Sequence, residues 1–209
     1  SELINAPRID NLAGCHAVLS AILESSPADH TQLAIFFDNE EIGSRTSQGA
    51  DGLFLRDILE RICASRGGGR EDLFRSMARS LLVSVDGAHA FHPNYADKYD
   101  DWYAPVLNGG PAIKVNAGFR YSTDAITEAA FRVFCEDSNV PCQKFATRAD
   151  MVPGSTIGPI SSSVTGIPTV DVGSPLLGMH SIRETSGARD HDWMMAALCS
   201  AYKMGRPAA

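Results

Sequence analysis

Short apolar runs that alternate with segments of helical period restrict this chain to a narrow class of folds. The run Ser80-Leu81-Leu82-Val83-Ser84-Val85 has the length of a buried strand and is too short for a buried helix. Leu33 to Phe37, within residues 31–37, is a second run of that kind, bounded by polar residues. Ahead of both, Leu12, Cys15, Leu19, Ile22 and Leu23 recur at helical spacing over 11–24. Leu53, Leu55, Ile58, Leu59 and Ile62 predict another helix, which Gly67-Gly68-Gly69 stops. A short helix near 71–79, a strand over Ala112–Val115 and a helix over 124–138 follow, the last with Ile126, Ala129, Ala130, Val133 and Phe134 on one face. Short strands over 143–147 and 167–172 and a closing helix over 183–204 complete the order. Such alternation builds an α/β fold, a sheet flanked by helices on both faces.

The 209 residues are enough for one well-formed core. A net charge of −7, with no basic stripe, argues against nucleic-acid and anionic-membrane partners. No apolar run approaches the roughly 18 residues that a membrane-spanning helix needs. The first residues lack the charged-then-apolar pattern of an export signal, so a cytoplasmic location is expected. Cys15, Cys63, Cys135, Cys142 and Cys199 are odd in number and form no CxxC pair, and read as reduced packing residues.

The chemistry gathers where strands end. In Phe36-Phe37-Asp38-Asn39-Glu40-Glu41-Ile42-Gly43-Ser44 an apolar run leads into two adjacent carboxylates. Two such charges at a sheet rim repel unless a cation compensates them, and a divalent metal held by one, with the other free to take a proton, satisfies both. In open α/β sheets, functional groups collect beyond the carboxyl ends of the strands. Asp86 follows the run 80–85, His180 comes a few residues after 167–172, and Asp10 lies at the start of the first helix. Each residue also has an ordinary reading: Asp10 as a helix N-cap, Asp86 before Gly87 as a turn residue, His180 as a half-buried histidine. His89 and His92 read as surface residues, or as neighbours on one helical turn. Taken together, Asp10, Glu40, Glu41, Asp86 and His180 make an oxygen-rich set with one imidazole, which suits zinc, manganese or cobalt. Gly154-Ser155 reads as a tight turn into a helix N-terminus.

Several segments together resemble the M18 family of metalloaminopeptidases, the aspartyl aminopeptidase group. They are Arg8-Ile9-Asp10-Asn11-Leu12, Asp38 to Ser44, Asp86 to Tyr95, Gly109 to Asn116, Arg120 to Asp124, Gly154 to Ile160 and Gly173 to Glu184. The resemblance implies a zinc-peptidase-like α/β/α sandwich with a mixed sheet, and two divalent metal ions, zinc foremost. It implies that Asp10 bridges the two ions, that Glu41 and His180 complete one site, and that Asp86 serves the other. Glu40 would be the general base, and His89, Lys114 and Tyr121 would contact substrate. Lys114 would pair with an acidic N-terminal side chain of a peptide, and Tyr121 would donate to the oxyanion.

The family also places one further histidine ligand in an N-terminal segment, and inserts a dimerisation domain before the position of Arg8; neither has a counterpart in these residues. Residues 1–209 are therefore expected to be the C-terminal part of a catalytic domain, weakly active or inactive as they stand. Homo-oligomers built from dimers are expected of the longer protein. Rival readings are a neutral or leucine-preferring aminopeptidase, a related deacylase, and a metal-free assembly module.

Overall fold

The computed structural model describes residues 2–207. Two four-stranded mixed sheets organise them. The larger has the order β2 (Leu82–Val85), β6 (Thr169–Gly173), β4 (Ala112–Val115), β5 (Gln143–Ala146). In it β2 runs parallel to β6, β6 antiparallel to β4, and β4 parallel to β5. All five residues of β6 are buried, as expected of a central strand covered on both faces.

One face of this sheet carries α1 (Ile9–Glu24), α4 (Ala125–Asp137) and α6 (Ala188–Met204). Their apolar sides meet Val85, Ile113, Val170 and Val172 in a core with Ala17, Ala21, Phe131, Phe134, Met194 and Leu198. Small residues on α1 let α6 approach closely, while the phenylalanines of α4 fill the wider space toward the sheet. Asp124 caps α4 by accepting from the amides of Ile126 and Thr127, at 2.9 and 2.8 Å. On β2 and β6 packs α5 (Ile157–Thr165), with α2 (Phe54–Ser65) and α3 (Arg70–Arg79) beyond it. Helices thus lie on both faces, as the alternation of segments predicts.

The smaller sheet has the order β1 (Leu3–Ala6), β8 (Glu184–Gly187), β7 (Pro175–Leu177), β3 (Ala88–His89). It is absent from the sequence reading, and its strands of two to four residues explain why. A period of two cannot declare itself over so few positions. The strand β8 also takes up residues 184–187 from the expected closing helix, which begins at Ala188.

A second expectation fails. Residues 31–37 form no strand: Leu33 to Phe37 have no ladder partner among the described residues, and Phe36 is 45% exposed. The segment is tied instead to the end of α6, where Gln32 donates to the Tyr202 carbonyl at 2.8 Å and the Tyr202 hydroxyl to the Leu33 carbonyl at 3.3 Å. Apolar composition reports a tendency to be buried. It does not supply the neighbouring strand that burial in a sheet requires.

The corner between β8 and α6 is fastened by Asp190, which is fully buried. Its two oxygens accept from the amides of Asn108 and Gly110 at 2.7 and 2.8 Å, fixing the loop that feeds β4. Asp190→Asn sets an amide N–H against one of those donors. It is expected to cost about 1–3 kcal/mol in a urea unfolding experiment, and an unchanged midpoint would contradict this role.

Candidate metal centre

Four stretches of chain bring the acidic residues together. The small sheet delivers two: β1 leads through Pro7-Arg8 into Asp10 at the irregular start of α1, and β7 leads through Gly178-Met179 into His180. The main sheet delivers Asp86, the residue after β2. Glu40 and Glu41 sit on a single 3-10 turn, Glu40–Ile42, entered through a left-handed Asn39 and left through a left-handed Gly43. That turn is stitched by Asp38 N–H to the Gln48 carbonyl at 3.1 Å and by the Thr46 hydroxyl to Asn39 Oδ1 at 2.8 Å.

At the focus, His180 Nε2 lies 3.1 Å from Asp10 Oδ2 and 3.1 Å from Glu41 Oε2. Asp10, Glu41 and His180 each offer a ligand atom within 4.8 Å of the others. The Asp10 side chain is 5% exposed, and its second oxygen, Oδ1, is buried and meets no N–H or hydroxyl donor. Such an oxygen beside further carboxylates is costly unless a proton shared with Asp86 or a cation joins it. Hard oxygen donors plus one imidazole match zinc and its neighbours, so the residues present fit a divalent ion.

The electrostatics agree. Burial, then the charges of Asp86 and Glu41, push the Asp10 carboxyl up to about 7. Burial also opposes the Asp86 charge, but the Lys114 ammonium and hydrogen bonds from Asp10, Lys114 and the Gly87 amide outweigh it and hold Asp86 below its usual range. The two aspartates are thus shifted in opposite directions, and Asp10 is the member of the pair that takes up a proton more readily. Glu40 is pushed up to about 6 by burial, with Asp86 and Glu41 adding to the effect.

Lys114 is buried, and its Nζ lies 3.1 Å from Asp86 Oδ2. Burial would lower its pKa, yet the neighbouring Asp86 raises it overall. Tyr121, also buried, stacks its edge on Phe145 and lies 5.5 Å beneath the Lys114 ammonium. His89 stands on β3, where desolvation and then the Lys114 ammonium lower its pKa. His92 caps the 3-10 segment Pro93–Lys98 by accepting from the Asn94 amide, so the two histidines share no helical turn. A cavity of about 330 Å³ lies elsewhere, lined by Ile4, Arg8, Leu12, His16 and His191 and by none of these carboxylates. All five cysteines are free thiols.

Two buried acids play parts that the sequence reading does not give them. Asp171, in β6, accepts from the Thr156 hydroxyl and the Ser122 amide, both at 2.6 Å, joining the start of α5 to the residue after Tyr121. Glu184 accepts from the amides of Asp10 and His180. An acidic residue four positions after His180, in a segment that resembles a known family, was the only signal for Glu184.

A family model described as the aminopeptidase I zinc metalloprotease family, M18, matches residues 1–202. The chain belongs to the M18 family. This M18 chain is 44% identical over 204 residues to a probable M18 family aminopeptidase 2 of Clostridium novyi, an alignment covering 98% of the chain and 47% of that relative. It superposes on the M18 aminopeptidase of Thermotoga maritima with a TM-score of 0.88 at 30% identity, covering 97% of the chain and 46% of that structure. The mApe1 dodecamer of S. cerevisiae gives 0.84 at 29% identity, covering 97% and 46%. The chain spans about half the length of the relatives it matches. Both solved structures share its mixed α/β architecture, and no helix among the described residues is long and apolar enough to cross a membrane.

Proposed function

We propose that this chain carries the metal-binding face of an aminopeptidase that removes N-terminal Asp or Glu from peptides. The observation that carries the reading is the single ring nitrogen of His180, 3.1 Å from carboxylate oxygens of both Asp10 and Glu41, beside the buried Oδ1 of Asp10. Membership of a zinc metalloprotease family supports zinc as the ion. Asp10, Glu41 and His180 would hold one ion, and Asp10 with Asp86 would contribute to a second. A divalent ion held there polarises a peptide carbonyl and makes water a nucleophile at neutral pH.

The chain's own groups do the rest. Glu40 accepts the proton of the attacking water and returns it to the departing amine, and its desolvated carboxyl suits a group that must take and give a proton near neutrality. The Tyr121 hydroxyl donates to the developing oxyanion. His89 lines the substrate side on β3. Lys114 supplies the positive charge that an acidic N-terminal side chain would share with Asp86. Homo-oligomers built from dimers, peptide substrates and a cytoplasmic location complete the proposal, and the dodecamer of the S. cerevisiae relative supports the oligomer.

One observation favours a second reading, an aminopeptidase for neutral or aliphatic residues. Lys114 is already engaged by Asp86 and is 4% exposed as a side chain. The substrate profile of Lys114→Ala, measured in protein of the relatives' full length, separates the two. The acidic reading expects a tenfold or greater loss, about 1.4 kcal/mol or more, on Asp and Glu substrates relative to Leu. An equal loss on all three favours the neutral reading.

A further inference from the structure

Glu184 is 1% exposed, the only buried glutamate among the described residues. It opens β8, opposite Ala6 on β1, so the pairing of these two strands sets its carboxylate beneath the chain that runs from Ala6 to Asp10. One oxygen, Oε2, accepts from the Asp10 amide at 2.9 Å. The other, Oε1, accepts from the His180 amide at 2.7 Å. Asp10 and His180 are 170 residues apart, and both stand outside regular structure. Asp10 has φ −79° and ψ 113° inside what is otherwise helix, and His180 has a left-handed φ of 68°. Neither backbone therefore obtains its position from a helix or a ladder. A non-glycine residue at such a φ keeps it only when its surroundings impose it.

We infer that Glu184 is a positioning residue of the metal centre: one buried carboxylate fastens the backbones of Asp10 and His180, and so fixes the separation of the two side chains that are to share an ion. This inference rests on the metal-binding reading above. Outer contacts that orient ligands govern metal affinity almost as strongly as the ligands themselves. Here the contact acts on the amide of each ligand residue, leaving the imidazole and the carboxylate free to face the ion. A carboxylate suits the task because it only accepts, so both oxygens can meet N–H donors. A glutamine in its place sets an NH2 group against one of the two amides. An aspartate keeps the charge and is one methylene short of spanning both.

The test compares the unsubstituted chain with Glu184→Gln, Glu184→Asp and, as control, Asp190→Asn, which makes the same carboxylate-to-amide change at a buried site that holds no ligand amide. Cobalt(II) is titrated into each metal-free protein at low temperature, reading ligand-field absorption, and folding is checked by circular dichroism. Amide hydrogen exchange at Asp10 and His180 is followed without metal. Both Glu184 variants are expected to lose about 10- to 100-fold in cobalt affinity and to exchange faster at both amides, while Asp190→Asn binds cobalt as the unsubstituted chain does.

Cobalt affinity in Glu184→Asp equal to that of the unsubstituted chain would show that charge alone matters, and overturns the clamp. So does unprotected exchange at both amides in the unsubstituted chain, a reading that requires no variant to fold. An unsubstituted chain that binds no cobalt, with both amides protected, removes the metal reading itself and this inference with it. Normal binding by that chain and by both Glu184 variants removes the inference alone.

Discussion

Glu40→Gln is expected to keep its metal and lose its turnover, whereas Glu41→Gln is expected to lose the metal. The two residues are neighbours on one 3-10 turn and share a side-chain type, so only geometry divides them. Glu41 points an oxygen to within 3.1 Å of His180 Nε2 and belongs to the cluster of three ligand residues. Glu40 lies outside that cluster, yet close enough to feel the charges of Asp86, Glu41, Lys114 and His180. Replacing Glu40 by its neutral isostere removes a proton acceptor and no ligand. The expected fall in kcat is about 10²- to 10⁴-fold, the range that general-base catalysis supplies. Replacing Glu41 leaves two of three ligands, and the metal should be lost on gel filtration. Turnover is read in protein of the relatives' full length and metal content by elemental analysis. Equal metal content and equal activity in the two variants would abolish this division of labour.

Zinc added to the metal-free 209-residue chain is expected to bind tightly at one equivalent and to raise the melting temperature. Burial of the Asp10 carboxyl, with repulsion from Asp86 and Glu41 added, is a cost that the fold bears without an ion, and together they push that carboxyl up to about 7. Zinc at a hundred times its Kd stabilises the native state by about 2.7 kcal/mol. For a chain of this size that corresponds to a shift of about 5–11 °C. Only one tight equivalent is expected, because among the described residues Asp10, Glu41 and His180 bring their ligand atoms within 4.8 Å of one another and Asp86 stands outside that group. A calorimetric titration with two tight sites would contradict this, and a melting temperature indifferent to both zinc and EDTA would dismiss the centre altogether.

Elements that carry their own period were legible in the sequence. The strand over Ala112–Val115 and the helices over 54–65, 70–79 and 125–137 fall within a few residues of where spacing and stop signals set them. The small sheet was not legible, since strands such as Ala88–His89 have no pattern and exist only through their partners. Leu33–Phe37 erred in the opposite sense, an apolar run without a neighbour to pair with. Glu41 and His180 drew notice by the rule that ionisable residues beyond strand ends are suspect in α/β folds, and Asp10 by its place at the start of the first helix. Glu41 comes within 3.1 Å of His180 although the strand invoked before it is missing, because the turn at 40–42 still carries its carboxylate there. Glu184 escaped the rule, as a residue whose part is to hold amides has no signature in its neighbours. Lys114 shows a different limit: the resemblance gives it an acidic substrate side chain as partner, and only the fold reveals Asp86 beside it.

A last consequence concerns Gly173, where β6 ends. A methyl group there would sit 2.1 Å from the Asp86 carbonyl oxygen, so the strand and the chain leaving β2 touch backbone to backbone. Asp86 thus rides on the large layer, while Asp10 and His180 ride on the small one. The distance between these passengers depends on a contact made by the backbone of Asp86 itself, and an alteration as slight as one added carbon at Gly173 would be felt first as a change in how firmly an ion is gripped.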